Sequence, residues 1–242
     1  MSAQRLDVAM VARGLARSRT LAARLVRQGR VRVDGQPVTR PSRRVEDAQL
    51  VEAEVEHWVS RGAGKLLGAL QDLDVTVPPR VLDAGASTGG FTQVVLEKGA
   101  ELVFAVDVGH HQLAAQIADD PRVQVREGLN LRDLTLADLD GRPVDLVVGD
   151  VSFISLALLL APLTSVCSPT ATMLLLVKPQ FEVGRHDLGA HGVVGDQGLR
   201  DRAVQKVMDA ATGCGWRVRG RAPARITGQD GNQEYFIRLE RG

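Results

Sequence analysis

Aromatic residues are scarce in this chain: two Trp, one Tyr and five Phe among 242 residues. That argues against a surface that grips single-stranded nucleic acid by stacking bases on rings. Cysteine is scarcer still. Cys167 and Cys214 show no metal-type spacing and read as small apolar residues in a reducing compartment. His186 and His191 lack partners at ligand spacing, so no metal site is expected. The longest apolar run, around 154–163, is too short to cross a bilayer. No apolar stretch follows the first basic residue in the manner of a secretory signal. These absences lead us to expect a soluble, cytoplasmic protein with no membrane partner.

Net charge is nearly absent too, at +1, but it is unevenly spread. Residues 1–44 hold eleven arginines against Asp7 and Asp34, a net charge of +9, which leaves about −8 for the remainder. Arginine concentrated on a small module suits phosphate binding. The length allows one medium domain and one small one.

The small module reads as two helices and a short sheet. Leu6 to Arg13 is a helix ended by Gly14, and Ser18 caps a second helix through Gln28. Val31 to Val33 alternates as a strand before the Asp34-Gly35 turn, and residues 45–55 are strand-like and acidic. The segment "Arg-Leu-Asp…Gly-Leu-Ala-Arg-Ser-Arg…Gly-Arg-Val-Arg-Val-Asp-Gly", within residues 4–50, resembles the RNA-binding domain of ribosomal protein uS4. The resemblance implies binding of structured RNA through backbone and shape. Its expected contacts are Arg5, Arg17, Arg19, Arg24, Arg27, Arg43 and Arg44.

Beyond a linker at 57–64, strands are expected at 80–84, 101–107, 122–126, 144–150 and 171–178. Helical segments lie between most of them, and further strands are expected at 216–223 and 234–239. Such alternation predicts an α/β fold with a mostly parallel, seven-stranded Rossmann-like sheet covered on both faces. The domains are therefore read as 1–56, uS4-like and α+β, and 65–242. Residues 181–196, with four glycines, read as a mobile substrate loop. His110 and His111 read as a helix start.

The most informative stretch is Val81 to Thr92, Val-Leu-Asp-Ala-Gly-Ala-Ser-Thr-Gly-Gly-Phe-Thr. A strand enters a glycine turn, a helix follows, and a second strand ends in Asp107, placed to accept from ribose hydroxyls. The glycines are Gly85, Gly89 and Gly90, not the G-x-G-x-x-G of dinucleotide sites. Asp83 at the strand end disfavours a pyrophosphate and favours S-adenosylmethionine, whose amino group and sulfonium are cationic. The expected cofactor contacts are Asp83, Gly85, Ala86, Ser87, Gly89, Gly90, Phe91, Asp107, Val108, Asn130, Leu131 and Asp150.

Four polar residues stand at element ends: Lys65 before the first apolar helix, Asp150 and Lys178 after apolar strands, and Glu234 opening the last strand. Carboxyl ends of parallel strands line the ligand crevice, so Asp150 and Lys178 should converge beside the glycine loop. The four resemble the Lys-Asp-Lys-Glu set of FtsJ-type ribose 2′-O-methyltransferases. Together with "Val-Ser-Arg-Gly-Ala-Gly-Lys-Leu", "Asp-Val-Ser-Phe-Ile-Ser-Leu" and "Leu-Val-Lys-Pro-Gln-Phe-Glu", they are similar to the TlyA family, some of whose members are called haemolysins. The resemblance implies 2′-O-methylation of cytidine in 16S and 23S rRNA, with ribosomal subunits as substrate and no obligate protein partner. Lys178 is the expected base, oriented by Asp150, with Lys65 and Glu234 holding the network. The rival readings are a non-catalytic RNA-binding protein that keeps the fold and a membrane-active haemolysin.

Overall fold

The computed structural model describes residues 3–16, 18–53, 57–184 and 188–241. They form two compact units, Met1–His57 and Trp58–Gly242.

The smaller unit holds strands β1 (Gln4–Arg5), β2 (Val31–Val33), β3 (Gln36–Pro37), β4 (Arg44–Val45) and β5 (Val51–Ala53), with helices α1 (Leu6–Ala12) and α2 (Arg19–Arg27). The Ser18 hydroxyl caps α2 by accepting from the Leu21 amide at 3.2 Å. Leu6, Met10, Leu25, Val26, Val31 and Val33 are fully or almost fully buried, and the helices and sheet share this one core. The acidic stretch expected as one strand over 45–55 is instead two short strands joined by a turn. Arg13 holds that turn by donating to the carbonyls of Gln49 at 2.7 Å and Glu46 at 2.9 Å. Its last residues, Glu54 and Val55, and Arg17 of the expected RNA contacts, lie outside the described residues.

The larger unit is a helix-covered sheet. In chain order it contains α3 (Gly62–Asp72), β6 (Arg80–Ala84), α4 (Gly90–Glu97), β7 (Leu102–Asp107), α5 (Ala115–Ala118), β8 (Val123–Glu127) and β9 (Val144–Gly149). It continues with α6 (Leu160–Ser165), β10 (Cys167–Val177), α7 (Pro179–Glu182), α8 (Gln197–Gly213), β11 (Trp216–Pro223) and β12 (Tyr235–Arg241). The strand order is β11-β12-β10-β9-β6-β7-β8. Only β12 runs antiparallel to its neighbours β10 and β11. Alternate residues enter opposite layers: Met173, Leu175 and Val177 face one core, Leu174 and Leu176 the other. That two-sided burial is why β10 reads as a continuous apolar run. Each such leucine contributes on the order of 1.5–3 kcal/mol.

Two expectations are corrected here. From residue 58 onward the segment read as a linker packs on the larger unit. Trp58 packs against its core, and the Val59 amide donates to buried Gln93 Oε1 at 2.9 Å. The loop read as mobile is pinned along its described part. Val194 is buried, its amide donates to Asn232 Oδ1 at 2.9 Å, and Arg200 donates to its carbonyl at 2.8 Å.

Candidate active site

The chain leaves β6 through Gly85 and leaves the neighbouring β9 through Asp150. The Asp150 amide donates to the Ala84 carbonyl at 3.1 Å, which ties the two exits together. Strand order reverses here, since β7 flanks one side of β6 and β9 the other, and a crevice opens at the carboxyl ends. Gly85 has φ +86, and a Cβ placed on it would stand 2.9 Å from the Asp150 carbonyl. Only glycine fits both the conformation and the gap.

Two cavities share Gly85, Ser87, Asp150 and Ser152. The larger, about 500 Å³, is lined by Asp107, Asn130 and apolar residues including Val108, Leu131 and Val151, with no lysine, arginine or histidine. The smaller, about 230 Å³, is lined by Arg61, Lys65 and Lys178 besides Ala86, Gly90 and Phe91. Among the described residues the cations therefore stand at the smaller cavity alone, whereas Asp150 lines both cavities and Asp107 the larger.

The four polar residues expected at element ends come together as two ion pairs. Lys65 Nζ donates to Glu234 Oε2 at 2.6 Å, and both residues are buried. Lys178 Nζ lies 2.7 Å from Asp150 Oδ1 and donates to Ser152 Oγ at 2.7 Å. Lys65, Asp150 and Lys178 line the smaller cavity. Glu234 lines neither and is linked to the site through Lys65. Lys65 does not precede its helix; it is the fourth residue of α3.

Asp107 lines the larger cavity, and its oxygens accept from the amides of Ser87 at 2.8 Å and Gly109 at 2.7 Å. A carboxylate retains lone pairs beyond these two bonds, so it still has room for a ligand donor.

Asp83 and Gly89 do not fit the contact role expected of them. Asp83 is fully buried and lines neither cavity. Its Oδ2 accepts from Thr92 Oγ1 at 2.6 Å, and its Oδ1 has no hydrogen-bond partner among the described residues. Burial pushes this carboxyl up to about 7 against the pull of Thr92, and the Asp150 charge adds to the rise. Its place is under the glycine turn, as a support. Gly89 is the left-handed cap of α4, and a Cβ there would meet Leu113 and Ile117, so it is needed for packing.

Several lining residues escaped attention individually. Arg61 and Ser152 lie inside motifs already singled out, beside Lys65 and Asp150, so that proximity was the available signal. Gln112 had none. It lines the larger cavity because Glu127 accepts from the amides of His111 at 2.6 Å and Gln112 at 3.0 Å. These bonds hold the Glu127 carboxyl below the usual range. The same loop takes His111 to φ +55, so His110-His111 do not start a helix; α5 begins at Ala115.

On the smaller unit, Arg5, Arg19, Arg24, Arg27, Arg43 and Arg44 are all exposed. Arg5 is partly committed to Asp7 at 2.9 Å, and Arg19 lies 3.7 Å from the same carboxylate. Among the described residues no helix is long and apolar enough to cross a membrane, and no three His, Cys, Asp or Glu side chains could hold a metal ion.

Comparison with known proteins agrees with both units. Residues 58–241 match the FtsJ-like methyltransferase family, and residues 4–51 match the S4 domain. The chain is 50% identical over 239 residues to the 16S/23S rRNA (cytidine-2′-O)-methyltransferase TlyA of Mycobacterium tuberculosis, covering 97% of this chain and 89% of that relative. It is 33% identical to Hemolysin A of Brachyspira hyodysenteriae, covering 96% of this chain and 98% of the relative. Among solved structures it is similar to a hemolysin-named protein of Streptococcus thermophilus, with a TM-score of 0.76, 36% identity and coverage of 100% of this chain and 89% of that one. A methyltransferase from Listeria monocytogenes, 15% identical with a TM-score of 0.57 over 75% of this chain and 98% of that one, shares the fold of the larger unit.

Proposed function

Because the chain belongs to the TlyA family, we propose that it transfers a methyl group from S-adenosylmethionine to the ribose 2′-hydroxyl of cytidine in 16S or 23S rRNA, acting on ribosomal subunits. The observation that carries this reading is the one-sided placement of cations at the two joined cavities: Arg61, Lys65 and Lys178 line the smaller, and no cation among the described residues lines the larger. A cavity with Asp107 and Asp150 and no cation suits a cationic donor that has no phosphate. The adjoining cavity offers the groups that an alkoxide and an RNA backbone need.

When bound, S-adenosylmethionine supplies an electrophilic methyl group. Asp107 and Asn130, flanked by Val108 and Leu131, would hold its adenosine side. Gly85, Ala86, Ser87, Gly90 and Phe91 would line the path of its amino-acid side. Asp83 and Gly89 shape that path from beneath without touching it.

A ribose hydroxyl is a weak acid and a weak nucleophile. Lys178 is the proposed base: its Nζ would take the hydroxyl proton as the ether bond forms. Ser152 directs Nζ by accepting its hydrogen bond, and the Asp150 carboxylate holds it by charge. Lys65 adds a second positive charge at the same cavity and is itself held by buried Glu234. Positioning supplies much of the acceleration, because methyl transfer requires an in-line approach. The smaller unit, residues 1–57, would dock structured RNA through its exposed arginines.

The test is transfer of tritiated methyl from S-adenosylmethionine to purified ribosomal subunits that lack the modification, followed by mapping of the labelled nucleotide. Label on a cytidine 2′-oxygen is expected. Lys178→Ala should lower turnover by at least about a hundredfold, while rRNA and cofactor binding persist. RNA binding without any transfer by the wild-type protein would favour a non-catalytic rRNA-binding role and overturn the proposal.

A further inference from the structure

Asp150 and Lys178 sit at the ends of neighbouring parallel strands, and each is followed by an irregular segment. Among the described residues, no backbone amide from Val151 to Ser155 donates to a backbone carbonyl. That stretch contributes Val151, Ser152, Phe153 and Ile154 to the larger cavity. Something other than regular backbone bonding must hold it in place, or its side chains would lose their aim.

Three side-chain links run from this segment to the residues after β10. Ser152 accepts from Lys178 Nζ at 2.7 Å. The ring of Phe153 packs on that of Phe181, with centroids 5.2 Å apart. Glu182, at the end of α7, makes the third link with both carboxylate oxygens: it accepts from Ser155 Oγ at 2.5 Å and from the Leu156 amide at 2.7 Å. The Glu182 side chain is almost completely buried. Its position is fixed from the far side by α8, where Lys206 Nζ donates to the Glu182 carbonyl at 2.9 Å and lies 3.8 Å from the carboxylate. Burial raises this carboxyl, opposed by the bonds from Ser155 and Leu156 and by Lys206.

We propose that Glu182 is a positioning residue for methyl transfer: it latches the segment after Asp150 to the segment after Lys178, so that both partners of the proposed catalytic pair are carried on one clasped unit. The inference rests on the methyltransferase reading above. The latch also explains the backbone at Phe153, a non-glycine residue held at φ +66 and 91% exposed. Such strain persists only where the surroundings impose it. Phe153 is bracketed by the Lys178–Ser152 link on one side and the Glu182–Ser155 link on the other.

Glu182→Ala removes both bonds of the latch. Glu182→Gln keeps them, because its amide oxygen can accept from the Leu156 amide and its NH₂ can donate to Ser155 Oγ. Steady-state transfer is measured on subunits lacking the modification, at a temperature where circular dichroism shows each variant folded, and S-adenosylhomocysteine affinity is measured by calorimetry. Glu182→Ala is expected to lower kcat at least tenfold and to weaken S-adenosylhomocysteine severalfold, with KM for the subunit within threefold of wild type. Glu182→Gln is expected to stay within threefold of wild type in all three. A Glu182→Ala enzyme with kcat within twofold of wild type overturns the latch, as does a folded Glu182→Gln enzyme as impaired as Glu182→Ala. If Glu182→Ala does not fold, Ser155→Ala cuts one bond only; a kcat at least threefold lower supports the latch, and a smaller change overturns it. Absence of transfer by the wild type would fail the functional reading instead.

Discussion

Lys65 Nζ and Glu234 Oε2 lie 2.6 Å apart in the protein interior although 169 residues separate them in the chain. The pair joins the first helix of the larger unit to the last strand. It also sets a lysine, its charge balanced, at the wall of the smaller cavity. Buried ion pairs gain little over an apolar replacement, but a lone buried charge is expensive.

Glu234→Ala should therefore destabilise the larger unit by about 3–5 kcal/mol, because it strands the Lys65 ammonium. Denaturant unfolding measures this. Replacing both partners, Lys65→Met with Glu234→Leu, should recover much of the stability but no methyl transfer. Equal stability of Glu234→Ala and wild type would show that the pair is not what holds Lys65.

Asp83 provides a pH signature. In the folded protein its carboxyl keeps a proton up to about pH 7; unfolded, it releases it near 3.8. Between these values the folded state binds more protons, so stability falls as pH rises. The contribution is complete below about pH 4 and is lost as pH passes through about 7, with a size on the order of a few kcal/mol. Asp83→Asn keeps an acceptor for Thr92 and removes the titration. The difference in unfolding free energy between variant and wild type should favour the variant increasingly from pH 4.5 to 8. A difference independent of pH in that range would contradict the shift.

Gly85→Ala introduces a Cβ 2.9 Å from the Asp150 carbonyl at a residue with φ +86. The strain alone is about 1–3 kcal/mol, and the clash must push β6 and β9 apart at the crevice. S-adenosylhomocysteine affinity, read by calorimetry, should fall at least tenfold while the fold survives. Unchanged affinity would remove the glycine turn from the cofactor site.

Arg24, Arg27 and Arg43 are exposed on the smaller unit. Changing all three to alanine should weaken rRNA binding and flatten its salt dependence by about 0.7–0.9 in log–log slope for each phosphate no longer neutralised. Cofactor affinity should not move. An unaltered salt slope would mean that RNA docks elsewhere.

Much of this protein follows from local sequence. Strands β6 and β11 have the limits that alternation and turn residues predict, and α2 starts at its Ser18 cap, because these signals act over a few residues. Asp150 and Lys178 were legible as crevice residues, because a polar group at the end of an apolar strand must emerge where that strand meets solvent or a crevice; Lys65 was legible only through the family resemblance, since it lies within α3 and not at its start. Which groups pair, and which are sealed away, depended on the tertiary fold. Glu234 meets Lys65 only because β12 enters the sheet antiparallel, between β11 and β10, out of chain order. Asp83 and Asp107 both lie at or near the carboxyl ends of adjacent strands, yet Asp83 faces the helix that bears Thr92 and is sealed, whereas Asp107 faces the larger cavity. The physical reason is that strand periodicity assigns a side chain to one face of the sheet, while the element that covers that face, and so its burial and partners, comes from distant parts of the chain.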